Sequence, residues 1–223
     1  MAKLLFNLKI FDLEYRLSKL VAYNETFEEQ LNYVTDQTLL RAKAKLFADG
    51  VDQDSHEFDQ HIEHLEQETK EEFPQLLRSQ VLTATWSLIE KSVKTGADIL
   101  AERKNLNLRL SDLRGRSPED QWKKYFNYVL ESPFDFENRT WKRISDLREI
   151  RNFKAHGGFA GQPSEQQEKR FQEIANRSDG IVFFGGDFFF QRAYVDAALD
   201  LAERVISNVS ALVVSGTGGD ANK

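Results

Sequence analysis

The chain has no cysteine and only four histidines among its 223 residues. Without cysteine there is no disulfide framework and no thiolate nucleophile, and a reducing interior suits such a chain. No window holds the roughly 18 consecutive apolar residues that a membrane span requires. Asp12 and Glu14 interrupt the apolar start, which the apolar core of a signal peptide would not tolerate. We expect a soluble, cytoplasmic protein.

The net charge of −6 is unevenly distributed along the chain. Residues 52–72, called the acidic arm below, contain nine acids and a single base, Lys70. Residues 137–156 contain three acids and six bases, which are Arg139, Lys142, Arg143, Arg148, Arg151 and Lys154. Asymmetry of this kind indicates more about partners than the total charge does. Either both runs are solvated helix faces, or the acidic arm lies near the basic run and competes with phosphate for it.

Apolar residues at helical spacing dominate the first hundred positions. The first stripe, which predicts a long helix, consists of Phe6, Ile10, Leu13, Leu17 and Leu20. Residues 26–29, TFEE, have the form of a capping box and predict the start of a second helix that ends at Gly50. Ser55 predicts the cap of an acidic third helix. Pro74 is expected to close that region and to lie in the first turn of the next helix.

The second half of the chain continues the helical pattern with one interruption. Ser117 and Pro118 predict a helix start, and the loop SPFDFENR leads into a further helix. The apolar positions of that further helix are Trp141, Ile144, Leu147 and Ile150. The stretch IVFFGGDFFF places two β-prone runs around Gly185 and Gly186, which predicts a tight hairpin. A last helix is expected over residues 192–214.

These patterns predict an all-α protein, an up-and-down helical bundle with an N-terminal helical extension and one small β-hairpin before the last helix. We expect three parts along the chain. Residues 1–72 form the extension with its acidic arm, residues 73–215 form the bundle, and residues 216–223 form a flexible tail. The fold by itself implies no chemistry.

The stretch RNFKAH, residues 151–156, carries the chemical signal of the sequence. On a helix, Asn152 and His156 lie one turn apart on one face, and Arg151 lies on the adjacent face. His156 is followed by two glycines and lies near the negative end of the helix dipole, which favours the protonated imidazole. An alternative interpretation is a histidine that only caps the helix C-terminus.

This hexapeptide resembles the Arg-polar-x-x-x-His motif of the HEPN superfamily, the higher eukaryote and prokaryote nucleotide-binding domains. The resemblance covers about residues 75–215, and HEPN domains are helical bundles with the motif on a late helix. It implies a metal-independent endoribonuclease without a cofactor, often a toxin or antiviral defence effector. It also implies a homodimer in which two motifs meet across a two-fold axis, and a nucleotidyltransferase-like antitoxin as a further partner.

The chemistry of RNA cleavage fits the residue types of the motif. Without a metal, the substrate's own 2′-OH attacks the neighbouring phosphorus, so a group must move protons and a cation must stabilise the phosphorane. His156 suits proton transfer at neutral pH, Arg151 can fork onto two phosphate oxygens, and Asn152 can position either. DNA would be inert because it lacks the 2′-OH. The predicted RNA-binding residues are Arg148, Lys154, Arg143 and Lys142.

Other interpretations stay open. The bundle could bind RNA, nucleotide or a protein without catalysis, or the motif could be accidental and the acidic arm could dock a basic partner. His61 and His64, with Glu57 and Glu68, could hold zinc, but the HExxH order is absent and a solvated face is favoured. For the phenylalanines we favour core or dimer packing over base stacking. These phenylalanines are Phe153, Phe159, Phe183, Phe184, Phe188, Phe189 and Phe190.

Overall fold

The computed structural model describes residues 2–156 and 163–215, with the backbone alone for residues 2–7 and for His156. The helices are α1 (Ala2–Ala48), α2 (His56–Gln67), α3 (Phe73–Arg103), α4 (Pro118–Lys124), α5 (Asn138–His156), α6 (Glu165–Asn176) and α7 (Arg192–Ser215). Two π-helical turns (Glu68–Glu72, Tyr125–Val129) and a 3₁₀ turn (Leu110–Asp112) join them. The strands are β1 (Ile181–Phe184) and β2 (Asp187–Phe190). The predicted all-α bundle with one hairpin before the last helix is confirmed.

The helix α1 is continuous, so the second helix start predicted at residues 26–29 is wrong. The Thr26 hydroxyl donates to the Ala22 carbonyl oxygen at 2.8 Å within the helix and does not cap a new one. No glycine or proline stands between residue 2 and Gly50, and extending a helix is easier than starting another. The predicted stop is confirmed, because Gly50 follows α1 with a φ of 81°.

The predicted end of the acidic helical region at Pro74 is wrong, since residues 56–103 are helical throughout, but the predicted place of Pro74 in the first turn of a helix is confirmed. The helix α2 begins as predicted, with the Ser55 hydroxyl accepting from the Phe58 amide at 3.2 Å. Pro74 lies in the first turn of α3, directly after the π turn Glu68–Glu72. Proline cannot donate the helical hydrogen bond, and the π turn changes the bonding register at this point. The boundary predicted after residue 72 coincides with the end of this π turn and stays a prediction.

The core lies where α3 and α7 pack together, with α1 packed against both. Val81, Ile89 and Val93 of α3 are buried in this core. Trp86 of α3 stacks on Trp122 of α4 with ring centroids 5.7 Å apart, which fastens α4 to the core. In the described part of the chain no helix is both long and apolar enough to cross a membrane.

Two local predictions in the second half of the chain are confirmed. The Ser117 hydroxyl accepts from the Asp120 amide at 3.2 Å and caps α4, with Pro118 in its first turn. The hairpin forms as expected, and Gly185 and Gly186 have φ values of 60° and 82°. A two-residue turn between paired strands requires positive φ at both positions, which glycine adopts without strain.

The helix α6 is absent from the sequence prediction. Its first turn carries a capping box. The backbone N–H of Ser164 donates to the side-chain Oε1 of Gln167 at 2.9 Å, and the backbone N–H of Gln167 donates to the Ser164 hydroxyl oxygen at 3.4 Å. Phe171, Ile174 and Ala175 form its buried face. The pattern Ser-x-x-Gln has the form of a capping box, but the apolar stripe after it is short and lies in a polar segment. The helix matters here because it covers one side of α5.

Candidate functional site

The helix α5 carries every site residue that the sequence predicts. Ile144, Leu147 and Ile150 are buried, so one face of the helix is fixed in the core. Arg151 and Asn152 are half-buried near its C-terminal end. The helical backbone runs through His156, so Asn152 and His156 lie one turn apart, as predicted. The His156 side chain and Gly157–Gly158 lie outside the described residues.

Two of the three motif side chains contact each other. The Arg151 Nη1 donates to the Asn152 Oδ1 at 3.0 Å. With Oδ1 accepting, the amide nitrogen of Asn152 is the atom that can donate to a phosphate oxygen. The Arg151 Nε is buried and has no hydrogen-bond partner among the described residues. A buried guanidinium with an unpaired donor is costly unless something binds it, so this atom is a candidate ligand contact.

Two of the predicted RNA-binding residues are held by carboxylates from other elements. The Arg148 Nε lies 2.7 Å from the Glu119 Oε1 of α4, and Glu119 is only 5% exposed. The Lys154 Nζ lies 2.6 Å from the Asp187 Oδ1 of β2. The Lys154 ammonium also lies over the Phe190 ring, 5.5 Å from its centroid. Both cations are therefore less available to RNA than their place in the sequence indicates.

The phenylalanines near the motif form a packed cluster. Phe153 of α5 contacts the rings of Phe171, Phe183 and Phe188, with centroids 4.8, 6.3 and 5.6 Å away. Phe188 is fully buried. Core packing is confirmed for this set, and it anchors the C-terminal half of α5 against α6 and the hairpin.

The outer face of the hairpin has a different character. On this face Phe184 is 75% exposed, Val182 is 51% exposed and Phe189 is 44% exposed. For these side chains dimer packing and base stacking both stay predictions. Phe159 lies outside the described residues.

A cavity of about 550 Å³ lies between the N-terminal half of α5, the end of α6 and the first turns of α7. Lys142 and Arg143, the other two predicted RNA-binding residues, line it. At 1.5 Å per residue, Arg143 is about 12 Å from Arg151 along the helix axis. The structure therefore separates the predicted cations into a group near the motif and a group at this cavity, called the basic cavity below.

Hydrogen bonds fix the polar walls of the basic cavity. Asp146, only 5% exposed, accepts from the Arg177 Nε at 2.8 Å and from its Nη2 at 2.6 Å. This bidentate pair raises the pKa of Arg177 above its ordinary value. The Arg143 Nη2 donates to the Ala197 carbonyl oxygen of α7 at 2.6 Å. The Lys142 Nζ lies 3.9 Å from the Asp146 Oδ1, and its side chain is 54% exposed.

Three residues of the basic cavity escape the sequence analysis as site residues. Arg139 belongs to the basic run but is not among the predicted RNA-binding residues, and it has no ion pair among the described residues. Arg177 follows α6, a helix that the sequence analysis does not predict. Tyr194 lies in the first turn of α7, and burial raises the pKa of its phenol, so the hydroxyl stays protonated at neutral pH. No spacing rule links these residues, which come from three different elements.

The alternative zinc site gains no support from the geometry. The His61 Nδ1 lies 2.8 Å from the Glu57 carbonyl oxygen of its own helix. In the described ranges, no group of three or more His, Cys, Asp and Glu side chains is arranged to hold a metal ion. The acidic arm packs against α1, where the Phe58 and Phe47 rings lie 6.0 Å apart. That the acidic arm competes with phosphate for the basic run of α5 stays a prediction.

No protein-family model matches the sequence, and neither the curated proteins nor the solved structures give a significant match. The HEPN resemblance therefore rests on the hexapeptide of residues 151–156 and on its place near the end of a late helix. It stays a prediction.

Proposed function

We propose that the protein is a metal-independent endoribonuclease that cleaves single-stranded RNA at the C-terminal end of α5. The observation that supports this most is the Arg151–Asn152 hydrogen bond of 3.0 Å, one helical turn from His156. It holds a permanently charged guanidinium and an amide donor together on the same helix end as the backbone of His156. The buried Nε of Arg151, unpartnered among the described residues, adds a donor that a phosphate oxygen could satisfy.

The proposed reaction assigns one role to each of these side chains. The 2′ oxygen forms a bond to the adjacent phosphorus while His156 takes its proton. Arg151 stabilises the charge on the non-bridging oxygens, and the Asn152 amide orients them. The bond from phosphorus to the 5′ oxygen then breaks, and that oxygen receives a proton. The products are a 2′,3′-cyclic phosphate and a 5′-OH end.

The second proton transfer is the reason to propose a homodimer. One imidazole per chain cannot serve as base and acid at the same instant, whereas two motifs facing each other across a two-fold axis supply two. The exposed Phe184 and Phe189 of the hairpin offer apolar surface for such a contact. In the same proposal the protein is a toxin or antiviral effector, with a nucleotidyltransferase-like antitoxin as partner. A gene for such a partner next to this one would support that role.

RNA binding is proposed to extend from the motif toward the basic cavity. The side chains of Lys142 and Arg143 are exposed, so they are expected to contact phosphates more than Arg148 and Lys154 do. The latter pair would contribute mainly by holding α5 in place through Glu119 and Asp187.

The direct test is cleavage of end-labelled single-stranded RNA by the purified protein in EDTA. The expected products carry 2′,3′-cyclic phosphate ends, and a DNA strand of the same sequence stays intact. Activity that disappears with the chelator and returns with Mg²⁺ or Zn²⁺ would contradict the proposal, because the proposed reaction uses only the side chains of the motif and no metal ion.

A second candidate function is binding of RNA or nucleotide without catalysis. It is favoured by the separation of about 12 Å along α5 between the basic cavity and the motif. RNA that binds with a strong salt dependence, but stays uncut in both the presence and absence of metal ions, would select this candidate.

A further inference from the structure

The basic cavity has the size and wall composition of a small-molecule site. Its volume of about 550 Å³ lies within the range of roughly 300–1,000 Å³ that is usual for ligand pockets. Four apolar residues belong to its wall, Leu147, Ala197, Ala198 and Leu201. The charged residues of α5 and those that follow α6 belong to the same wall. A ligand with a compact charged group joined to a less polar part would match both kinds of residue.

The charge of the cavity is positive. Four cations line it, namely Arg139, Lys142, Arg143 and Arg177, against the two carboxylates Asp146 and Asp179. The formal excess is therefore +2. Asp146 is already satisfied by the bidentate bonds from Arg177, which leaves the remaining cations to act on a ligand. A phosphomonoester carries about −1.5 to −2 at neutral pH and matches this excess better than a phosphodiester, which carries about −1.

Backbone and hydroxyl dipoles add to the attraction. Ala193 and Tyr194 lie in the first turn of α7 and line the cavity, so the positive end of this 24-residue helix lies near it. Tyr194 lines the cavity together with Asp146, Arg143 and Arg177. A protonated phenol there can donate to an oxyanion.

The position of Arg139 also favours anion binding at the basic cavity. It is the second residue of α5, where the helix dipole disfavours a cation, and it has no ion pair among the described residues. A bound anion would neutralise it and would also interact with the N-terminus of α5.

We propose that the basic cavity binds a terminal phosphate group, held by Arg139, Lys142, Arg143 and Tyr194. This site is separate from the motif and does not depend on cleavage there. Two sources of that group are compatible with the cavity, a free mononucleotide and the phosphorylated end of an RNA strand. The apolar wall would contact the sugar or base attached to the phosphate.

Calorimetric titration of the full chain can compare probes that differ only in the phosphate. AMP, 3′,5′-cyclic AMP and adenosine share the base and sugar. AMP is expected to bind about 10-fold or more tightly than either of the other two. A 5′-phosphorylated oligoribonucleotide and its 5′-hydroxyl twin, titrated into the His156→Ala variant, form the second arm. Preference for AMP alone identifies a free nucleotide, and preference for the phosphorylated strand identifies an RNA end.

Variants locate the binding. Arg143→Gln and Arg139→Gln are each expected to weaken the preferred phosphate probe by about 10-fold or more. Tyr194→Phe keeps the ring, which stacks on Phe190 at 5.9 Å, and removes only the hydroxyl; it should weaken binding by a smaller factor. The matched control is Arg204→Gln, an exposed cation of α7 outside the cavity. It should leave the affinity unchanged.

Three results would overturn the proposal. These are equal affinity for adenosine and AMP, no binding of any phosphate probe at millimolar concentration, and binding that Arg204→Gln weakens as much as Arg143→Gln does. Thermal melts of each variant exclude loss of fold as the cause. If phosphate binds as expected while the wild type leaves RNA uncut, the proposed cleavage fails and this site stands.

Discussion

At the level of single residues, the cations of α5 divide into two groups according to what their charged ends contact. Arg148 and Lys154 each meet a carboxylate from another element, at 2.7 and 2.6 Å. Lys142 lies 3.9 Å from Asp146 and stays largely exposed. The first group stabilises the fold by neutralising buried or half-buried acids, and the second group is available to an external anion.

This division gives a paired prediction. Arg148→Gln should lower the free energy of unfolding by about 2 kcal/mol, because it leaves the buried Glu119 carboxylate without its cation. Lys142→Gln should change stability by less than about 0.5 kcal/mol. It should instead lower RNA affinity and reduce the salt slope by about 0.7 for each phosphate that the lysine neutralises. Urea denaturation and a binding series across salt concentrations measure both. A larger fall in RNA affinity for Arg148→Gln, at unchanged stability, would contradict this division.

Tyr194 makes a prediction about alkaline stability. Burial raises the pKa of its phenol above the ordinary value of 10.0. The folded chain therefore holds this proton more tightly than the unfolded chain does. The resulting stability is fully present below about pH 10 and is lost as the pH rises toward the folded value. The free energy of unfolding should decline above pH 10 in the wild type and decline less steeply in Tyr194→Phe. Parallel curves would show that this phenol does not titrate differently on folding.

At the level of elements, sequence patterns predict helix starts and turns correctly where one or two residues determine the local backbone conformation. The caps at Ser55 and Ser117 and the turn at Gly185 and Gly186 could be predicted because their bonds lie within a few residues. The capping-box form at residues 26–29 failed because a cap acts only where a helix must begin. Residues buried on both sides of that point, among them Leu17 and Leu39, hold α1 as one helix.

The candidate site shows the same limit at longer range. The Arg151–Asn152 bond joins neighbours in sequence and agrees with the motif. Glu119 pairs with Arg148 and Asp187 pairs with Lys154. The partners are 29 and 33 positions apart in the sequence. Arg177 reaches Asp146 over 31 positions. A count of charges along one helix cannot include partners that only the fold brings together.

The contact between α3 and α7 makes a prediction about the core. A Cβ added at Gly96 would meet the Cγ1 of Val209 on the facing helix. Gly96→Ala should therefore lower the free energy of unfolding by about 1–3 kcal/mol, although alanine favours a helix by about 1 kcal/mol. In the Val209→Ala variant the smaller side chain leaves space for the added methyl group. There Gly96→Ala should hardly change the free energy of unfolding, or should raise it. Equal costs on the two backgrounds, measured by chemical denaturation, would show that these helices do not meet at Gly96.

At the level of the whole molecule, the bundle leaves one end of α5 close to an exposed apolar surface. The hairpin buries Phe183, Phe188 and Phe190 and presents Phe184 and Phe189 outward. The proposed reaction needs a second histidine, and this surface lies beside the motif helix, where Lys154 bonds to Asp187 of β2. We propose that the two-fold contact of the dimer forms at this surface.

The expected assembly is a dimer of twice the chain mass of 25.8 kDa, measured by sedimentation at micromolar concentration. Phe184→Glu should shift the protein toward the monomer and reduce cleavage together with dimerisation. The thermal midpoint of the monomer should hardly change, because this side chain is 75% exposed. The matched control is Tyr33→Glu, at an exposed aromatic position of α1. A monomer that retains full activity would contradict the composite site.

The most direct measurement for the proposed function is the rate at which wild type and His156→Ala cleave the same labelled RNA in EDTA. The matched control is His61→Ala, an exposed histidine of α2. We predict cleavage by wild type and by His61→Ala, and a rate lower by about 10²–10³-fold in His156→Ala. Equal rates in all three proteins would contradict a catalytic role for the end of α5.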